Sequence, residues 1–402
     1  MAAQAAAPRL ALVAGEASGD LLGGLLLGAL KARWPALTAY GIGGPKMGAQ
    51  GFSAWWPHEK LAVRGYVEVL RHYREIVGIR RSLGDRLLAD RPDLFIGVDA
   101  PDFNLDLEKR LRAAGVRTVH FISPSIWAWR AGRIETVRQA ADEVLCVFPF
   151  EPAIYERAGI AATYVGHPLA DAIPLVPPRE ASRAALGLSP DDRVVALLPG
   201  SRRSEVQQHG VLFVRAAARA LEQDARLRFV LPAAPGLKPA LQAAVQGEPR
   251  VGSRLLLTDG GSHTALAACD ASLVASGTAT LEAALFKRPM VIVYRMNPIS
   301  WQLMKRQRLQ PWVGLPNILL GRFAVPERLQ AEATPERLAK DLLQTLEDAP
   351  GRAALEAEFT GLHRILRQDM AQRAGAAIER LLQTTPALAP AAGAPSRSTA
   401  SG

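Results

Sequence analysis

The chain has 402 residues, a length that predicts two or three domains at roughly 150 residues per domain. Hydrophobic residues make up 49% and charged residues 21%, which excludes a wholly disordered chain and a collagen-like repeat. No apolar run reaches the roughly 18 residues that a bilayer-spanning helix needs. The N-terminal residues also lack the basic and apolar regions of a secretory signal. A cytoplasmic protein is therefore expected.

The net charge of +10 at pH 7 favours an anionic partner, such as nucleic acid, phospholipid or a phosphorylated substrate. A solvated basic surface is the simpler alternative. No nucleic-acid partner is expected, because the chain lacks a groove-reading motif and a base-stacking pattern. The two cysteines, Cys146 and Cys269, lie in apolar segments without metal-ligand spacing, so neither a disulfide framework nor a metal site is expected.

Short apolar runs alternate with helical stretches along the first half of the chain. They predict strands at 10–13, 38–42, 94–98, 118–122 and 144–148. Most of these runs end at a turn-forming or polar sequence. Strands that alternate with helices indicate βαβ units and a parallel sheet, with functional sites at the carboxyl ends of the strands.

A second series of strands is predicted at 194–198, 227–231, 255–257, 271–275 and 290–294. Between the two series, the sequence PLADAIPLVPP at 168–178 predicts an extended connection, since its prolines cannot continue a helix. The fold class is therefore predicted as α/β, with two Rossmann-like domains that face a cleft. The predicted divisions are a flexible N-terminus at 1–8, domains at 9–175 and 176–383, and a disordered tail at 384–402.

Neither the P-loop motif nor the complete dinucleotide motif occurs in the sequence. The remaining candidate phosphate sites are two turns that precede predicted helices. The first is PGSRRSE at 199–205, where the N–H groups of Gly200 and Ser201 and the guanidinium of Arg202 can meet a diphosphate. An ordinary βα turn with solvated arginines is an equally good interpretation.

The second turn is SGTATLE at 276–282. Small residues at Ser276 and Gly277 let a nucleotide approach the backbone, and the hydroxyl of Thr278 supplies a donor. Glu282 lies one turn into the helix, where its carboxylate can accept hydrogen bonds from a ribose. The alternative for Glu282 is an acid that stabilises the helix N-terminus.

Asp99 follows the predicted strand at 94–98, in the sequence VDAPDFN. A carboxylate at the carboxyl end of a parallel strand is in the position of a general base, although a loop-capping carboxylate is equally consistent. Asp102 follows a proline and is a candidate helix cap. His120 and His167 lie at strand ends and are more simply explained as structural hydrogen-bonding groups.

Two further segments have a functional and a structural interpretation. The sequence SPSIWAWR at 123–130 supplies two indoles and an arginine, which suit the wall of a sugar or acyl pocket or simple packing. Residues 67–81 carry apolar side chains at helical spacing. Such a helix suits an anionic bilayer surface, or it packs on its own sheet. Its cations are Arg71, Arg74, Arg80 and Arg81.

Six motifs, in their order and spacing, resemble the lipid-A-disaccharide synthase family. They are GEASGD at 15–20, VDAPDFN at 98–104, SPSIWAWR at 123–130, LPGSR at 198–202, SGT at 276–278 and LPN at 315–317. The resemblance spans nearly the whole chain, and no motif position departs from the family pattern. It implies a B-type glycosyltransferase whose C-terminal domain holds most of the UDP.

The resemblance implies that the enzyme joins UDP-2,3-diacylglucosamine to 2,3-diacylglucosamine 1-phosphate, called lipid X, and releases UDP. It further implies inversion at the anomeric carbon, no obligatory metal or cofactor, and peripheral attachment to the cytoplasmic face of the inner membrane. Members of the family can form dimers through the C-terminal half. A UDP-sugar epimerase or a glycosyltransferase of soluble acceptors would share the two-domain layout without needing the 67–81 segment.

The resemblance assigns the essential acid to Asp99 and the essential arginine to Arg202. Inversion requires a base that takes a proton from the acceptor hydroxyl while UDP leaves with developing negative charge. The alternative is that Asp99 orients the acceptor, with Glu16 or an ordered water as the base. Further contacts with the substrates are expected from Gly15, Glu16, Ser18, Gly200, Ser201, Ser276, Gly277, Thr278, Glu282 and Asn317.

Overall fold

Buried apolar strands build two parallel β-sheets in the protein, whose computed structural model describes residues 7–61, 66–128, 132–307 and 309–383. The first sheet has seven strands: β1 (Arg9–Ala14), β2 (Thr38–Gly43), β3 (Ser53–Pro57), β4 (Leu94–Val98), β5 (Thr118–Phe121), β6 (Glu143–Cys146) and β7 (Ala162–Tyr164). Their order is β3-β2-β1-β4-β5-β6-β7, and every neighbouring pair is parallel.

Helices connect these strands, as a parallel sheet requires. They are α1 (Ala17–Arg33), α2 (Pro45–Gly48), α3 (Tyr66–Asp90), α4 (Pro101–Ala113), α5 (Arg133–Ala140) and α6 (Glu151–Glu156). Leucines and isoleucines of α3 and α4 pack on the apolar face of β1 and β4 in a core that contains Leu83, Leu87, Phe95 and Leu107.

The second sheet has six strands: β8 (Arg193–Leu198), β9 (Leu227–Ala233), β10 (Leu255–Asp259), β11 (Ala271–Ala275), β12 (Met290–Tyr294) and β13 (Glu327–Leu329). Their order is β10-β9-β8-β11-β12-β13, again with parallel neighbours. The remaining helices are α7 (Pro168–Ala172), α8 (Arg179–Ala185), α9 (Arg203–Leu221), α10 (Lys238–Gln246), α11 (Ser262–Ala268), α12 (Thr278–Leu285), α13 (Pro298–Gln307), α14 (Leu315–Leu320), α15 (Pro335–Glu347), α16 (Ala349–Leu366) and α17 (Met370–Gln383).

The prediction of two Rossmann-like domains is confirmed, and all ten predicted strands are present. The prediction of an extended connection at 168–178 is wrong at its start. Pro168 begins α7, and Nδ1 of His167 accepts a hydrogen bond from the backbone N–H of Leu169 at 3.2 Å. Proline is favoured at the first position of a helix, because its missing N–H has no partner there in any case.

The contacts divide the chain into two units. The N-terminal unit contains the described residues 7–61, 66–126, 132–165 and 370–383, and the C-terminal unit contains 127–128, 166–307 and 309–369. Helix α17 thus belongs to the N-terminal unit, where Glu379 forms an ion pair with Arg33 of α1. This grouping differs from the division at residues 175 and 176 that the proline-rich composition predicts. The predicted disordered tail at 384–402 lies outside the described residues.

We predict that Gly41→Ala destabilises the N-terminal unit by about 2–4 kcal/mol. Gly41 has a φ of +137°, and a Cβ added there would lie 2.2 Å from the backbone oxygen of Leu12 on β1. Because that oxygen belongs to the neighbouring strand, it cannot move aside without disrupting the sheet. Urea-induced unfolding followed by circular dichroism measures the loss.

The matched control is Gly48→Ala in α2, where an added Cβ meets no atom within 4 Å. This variant should unfold at the urea concentration of the original chain or slightly above it, because alanine favours a helix. Equal stabilities of the two variants would contradict the prediction.

Candidate functional site

The strand order of the first sheet reverses at β1, since β2 and β3 lie on one side of it and β4 to β7 on the other. Such a reversal opens a crevice at the carboxyl ends of the two central strands. The GEASGD segment at 15–20 follows β1 and Asp99 follows β4, with Ala14 and Val98 paired in register. A Cβ added to Gly15 would lie 3.0 Å from Cβ of Ala100. The structure therefore brings the predicted 15–18 segment and Asp99 together.

Asp99 is held in an unusual backbone conformation. Asp99 and Ala100 have φ angles of 49° and 45°, in the left-handed region that residues other than glycine rarely adopt. The turn is fixed from two sides: the N–H of Asp99 donates to the oxygen of Phe121 at 2.9 Å, and Nδ2 of Asn104 donates to the oxygen of Asp99 at 2.8 Å. Strain of this kind persists where surrounding contacts over-determine the conformation, and it often occurs at functional sites.

The start of α1 lies beside this turn. Glu16 is the N-cap residue and is half-buried, as is Ser18 in the first turn. The carboxylate of Asp20 accepts hydrogen bonds from the backbone N–H groups of Gly44, Lys46 and Met47 at 2.8–3.0 Å. Asp20 thereby connects α1 to the start of α2, a role that the sequence did not indicate because the bonded groups are 24 or more residues away.

Two other sequence hypotheses concern the helix cap at Asp102 and the 123–130 segment. The hypothesis that Asp102 caps α4 is wrong, because the N-cap residue is Ala100 and Asp102 forms an ion pair with Arg133. In the 123–130 segment, the hydroxyl of Ser123 is 2.7 Å from that of Tyr155, in a buried hydrogen bond. Trp129 and Arg130 lie outside the described residues.

The second sheet repeats the reversal of strand order, at β8. β8 and β11 are neighbours, with Leu198 and Val274 in register, so the 199–202 turn and the 276–278 turn emerge side by side. Both predicted nucleotide turns thus lie at the switch point of one sheet, where α/β proteins bind ligands. Helix α9 begins directly after the first turn and α12 begins at Thr278 in the second, and the N-terminus of a helix favours a negative charge.

An anionic side chain already occupies the first turn. Oε2 of Glu205 accepts from the N–H groups of Ser201 at 3.0 Å and Arg202 at 3.3 Å, while Nη1 of Arg202 lies 2.5 Å from Oε1 of the same carboxylate. Gly200 makes this possible: its φ is +123°, and an added Cβ would lie 2.4 Å from Cβ of Glu205. The amides and the guanidinium therefore form an anion-binding turn with an internal carboxylate in place.

The second turn is more open. Gly277 is exposed, and an added Cβ there would meet no atom within 4 Å. The hydroxyl of Ser276 donates to the oxygen of Val313 at 3.0 Å, and Thr278 begins α12. Oε2 of Glu282 is 3.5 Å from Nε2 of His263, a neighbour that the sequence analysis did not identify.

Asn317 is fully buried and uses its whole side-chain amide within the protein. Nδ2 donates to the oxygen of Val325 and to Oε1 of Glu327, both at 2.9 Å. Oδ1 accepts from the N–H groups of Ala324 and Val325 at 2.8 and 2.9 Å. These four bonds fix the segment between α14 and β13, and a direct contact of Asn317 with a nucleotide stays a prediction.

His209 is a positioning residue that sequence reasoning missed. Its Nδ1 bonds the oxygen of Pro199 at 3.1 Å, and its Nε2 accepts from the N–H of Arg295 at 3.0 Å. Burial lowers the pKa of His209, so a neutral ring donates through Nδ1 and accepts through Nε2. The residue thereby connects the turn after β8 to the segment after β12.

The described residues contain no group of three or more His, Cys, Asp or Glu side chains that could hold a metal ion. Within the same part of the chain, each helix is too short or too polar to cross a membrane.

Comparison with known proteins decides the family. A family model described as lipid-A-disaccharide synthetase matches residues 10–378. The chain belongs to this family. The lipid-A-disaccharide synthase of Albidiferax ferrireducens is 57% identical over 380 residues, which cover 93% of this chain and 97% of that protein. The enzyme of the same name from Burkholderia thailandensis is 54% identical over 386 residues, covering 96% and 99% of the two chains. The predicted family, enzyme class and role in lipid A disaccharide synthesis are confirmed.

Solved structures with the same fold include an epimerase and a glycosyltransferase. The UDP-GlcNAc 2-epimerase of Neisseria meningitidis has a TM-score of 0.63 and 11% identity, covering 94% of this chain and all of that one. The calicheamicin glycosyltransferase CalG4 has a TM-score of 0.61 and 16% identity, covering 94% and 98%. At these identities the likeness shows the fold alone, and the predicted B-type glycosyltransferase fold is confirmed.

Proposed function

We propose that the protein joins UDP-2,3-diacylglucosamine to lipid X, inverts the anomeric carbon and releases UDP. Family membership supports this reaction, and so does the placement of the family's motifs at the switch point of each sheet. Incubation with the two acylated substrates, followed by mass spectrometry for the disaccharide phosphate and UDP, tests the proposal. A parallel incubation with deacylated donor separates it from transfer between soluble sugars.

The proton of the acceptor hydroxyl goes to Asp99 in this proposal. The hydroxyl oxygen attacks the anomeric carbon as the bond to the UDP oxygen breaks, so one base suffices for the single displacement. The support is positional, since Asp99 directly follows β4 at the switch point and its backbone is fixed by Asn104 and Phe121. Glu16, at the start of the neighbouring helix α1, remains the alternative base.

Arg202 and the turns at 199–202 and 276–278 hold the diphosphate and stabilise the charge that it gains on leaving. The contacts of Glu205 support this role, because its carboxylate already bonds two amides and the guanidinium of Arg202. A diphosphate that binds the same donors takes over these contacts from Glu205. Charge-assisted bonds of this kind replace a metal ion in the stabilisation of the leaving group.

Peripheral attachment to an anionic membrane brings the enzyme to its acylated substrates, and α3 is the proposed contact. In the described part of α3, some side chains contact the N-terminal unit and others are exposed. Ile76 and Ile79 pack against the core of the N-terminal unit, and Arg80 lies 2.6 Å from Asp106. Arg74 and Arg81 are exposed. The resemblance to the family also implies that two copies of the chain form a dimer, and this stays a prediction.

We predict that Asp99→Asn lowers turnover about 100-fold or more, because the amide cannot accept the proton. UDP affinity should be unchanged. The matched control is Asp102→Asn, since Asp102 is an exposed carboxylate three residues further on. Disaccharide formation by mass spectrometry gives the turnover, and a fast Asp99→Asn variant would remove Asp99 as the base.

For Arg202→Ala we expect weaker UDP binding, by about 10-fold or more, together with slower turnover. A contact with the diphosphate strengthens as the leaving group gains charge, so turnover should fall further than binding alone explains. Isothermal titration calorimetry with UDP measures the first effect. Arg203→Ala, at the exposed neighbouring position, is the control and should bind UDP normally.

Replacing Arg71, Arg74 and Arg81 with Gln should reduce co-sedimentation with anionic vesicles at low salt. Each arginine near an anionic surface contributes on the order of 1 kcal/mol, and salt screens the attraction. The side chain of Arg71 lies outside the described part, and Arg80 is left in place because of its ion pair with Asp106. The control removes the same charge from exposed positions of the C-terminal unit, at Arg215, Arg254 and Arg364. Equal sedimentation of both triple variants would contradict attachment through α3.

A further inference from the structure

Three polar side chains next to the Asp99 turn are fully buried. Asn104 and Glu108 lie on α4, the helix that begins after this turn, and His120 lies on β5. Nδ1 of His120 is 2.8 Å from Oε1 of Glu108, which makes a buried hydrogen bond between a histidine and a carboxylate. From the sequence, His120 could be interpreted only as an isolated residue, because Glu108 is 12 positions away.

The sheet leaves space for this cluster. Gly97 of β4 pairs in register with His120 of β5. A Cβ added to Gly97 would lie 2.0 Å from Oε1 of Glu108 and 2.9 Å from Cβ of Asn104. Any side chain larger than hydrogen at position 97 would therefore displace the carboxylate from its place beside His120.

The cluster lowers the stability of the core that contains it. Among the described residues, Nε2 of His120, Oε2 of Glu108 and Oδ1 of Asn104 are buried without a hydrogen-bond partner. Unpaired polar atoms in the interior lower stability, and apolar side chains often fill such a space at no loss. The stability of the fold therefore does not explain this pair.

The cluster is connected to Asp99 through the backbone and through charge. Nδ2 of Asn104 donates to the oxygen of Asp99, and the N–H of Asp99 bonds the residue that follows His120. Burial alone would lower the pKa of His120, but the charge and hydrogen bond of Glu108, followed by the charge of Asp99, raise it. Arg133, which forms an ion pair with Asp102, opposes this effect.

We propose that His120 is a positioning residue for Asp99: Glu108 keeps its ring protonated, and the ring's charge keeps the Asp99 carboxylate ionised until substrate arrives. Coupling between two charges is mutual, so an anion that favours protonated His120 is itself favoured by it. Asn104 fixes the turn in which this coupling acts. The inference rests on the proposed role of Asp99 as the base, and one of its two tests is independent of turnover.

The first test is the pH dependence of kcat/KM. His120→Asn removes the cation, so the pKa of Asp99 rises and the acidic limb should move to higher pH by about 1 unit. Glu108→Gln should move the limb in the same direction, because His120 then loses its proton at lower pH. In both variants kcat/KM should recover most of its value at alkaline pH, where Asp99 is ionised in any case.

The control is His363→Asn in the C-terminal unit. His363 is also fully buried and hydrogen-bonded, with Nδ1 2.6 Å from Nζ of Lys287 and Nε2 2.8 Å from the oxygen of Ala170. Its loss removes a comparable polar contact without touching Asp99, so the acidic limb should keep its position. A limb that stays in place in His120→Asn as well would overturn the proposal.

The second test is NMR titration of the histidine rings in the original chain and in Asp99→Asn, with the His120 signal assigned from its absence in His120→Asn. The chain has seven histidines, and removal of the Asp99 charge should lower the pKa of His120 and leave the other six nearly unchanged. An unchanged His120 pKa would overturn the coupling. If Asp99→Asn instead retains full turnover while the His120 pKa falls, the coupling stands and the proposed base is wrong.

Discussion

The reversal of strand order at β1 and at β8 is the constraint on which both candidate sites depend. Right-handed crossovers that run in opposite directions from one strand place their helices on opposite faces of the sheet. The loops on the two sides of the reversal therefore diverge, and the strand ends between them stay accessible. Asp99 and Arg202 both use this position, one in each sheet. The surrounding contacts refine a site whose location the topology has already determined.

Burial explains most of the difference between predicted and missed strands, although the partly buried edge strand β10 was also predicted. The ten predicted strands include every central strand, and most of these present continuous runs of buried apolar residues such as LFIGV at 94–98. The three missed strands, β3, β7 and β13, each lie at the edge of a sheet, are three to five residues long and are only partly buried. An edge strand has a neighbour on one side only, so its sequence carries a weaker apolar signal. Helix α7 escaped prediction because a proline that starts a helix resembles one that ends it.

The residues of the candidate site also differ in how far the sequence could predict their roles. Positions set by the local sequence, such as the glycine turn at Gly200 or an acid at the end of a strand, could be predicted from spacing. Partners that are distant in sequence could not be predicted: His209 bonds Arg295, and Asn317 bonds Glu327 on β13. The role of Glu205 was missed for a different reason, since the motif indicates an anion site but not that the protein's own carboxylate occupies it.

The position of helix α17 in the sequence delays the completion of the N-terminal unit during synthesis. The helix belongs to the N-terminal unit, where it packs on α1, although about 200 residues of the C-terminal unit precede it in the chain. At roughly 5–20 residues per second, the ribosome needs roughly 10–40 s to synthesise that intervening part. Throughout this interval the nascent N-terminal unit presents the uncovered face of α1 to the cell. The half of the enzyme that is synthesised first is thus the half that is completed last.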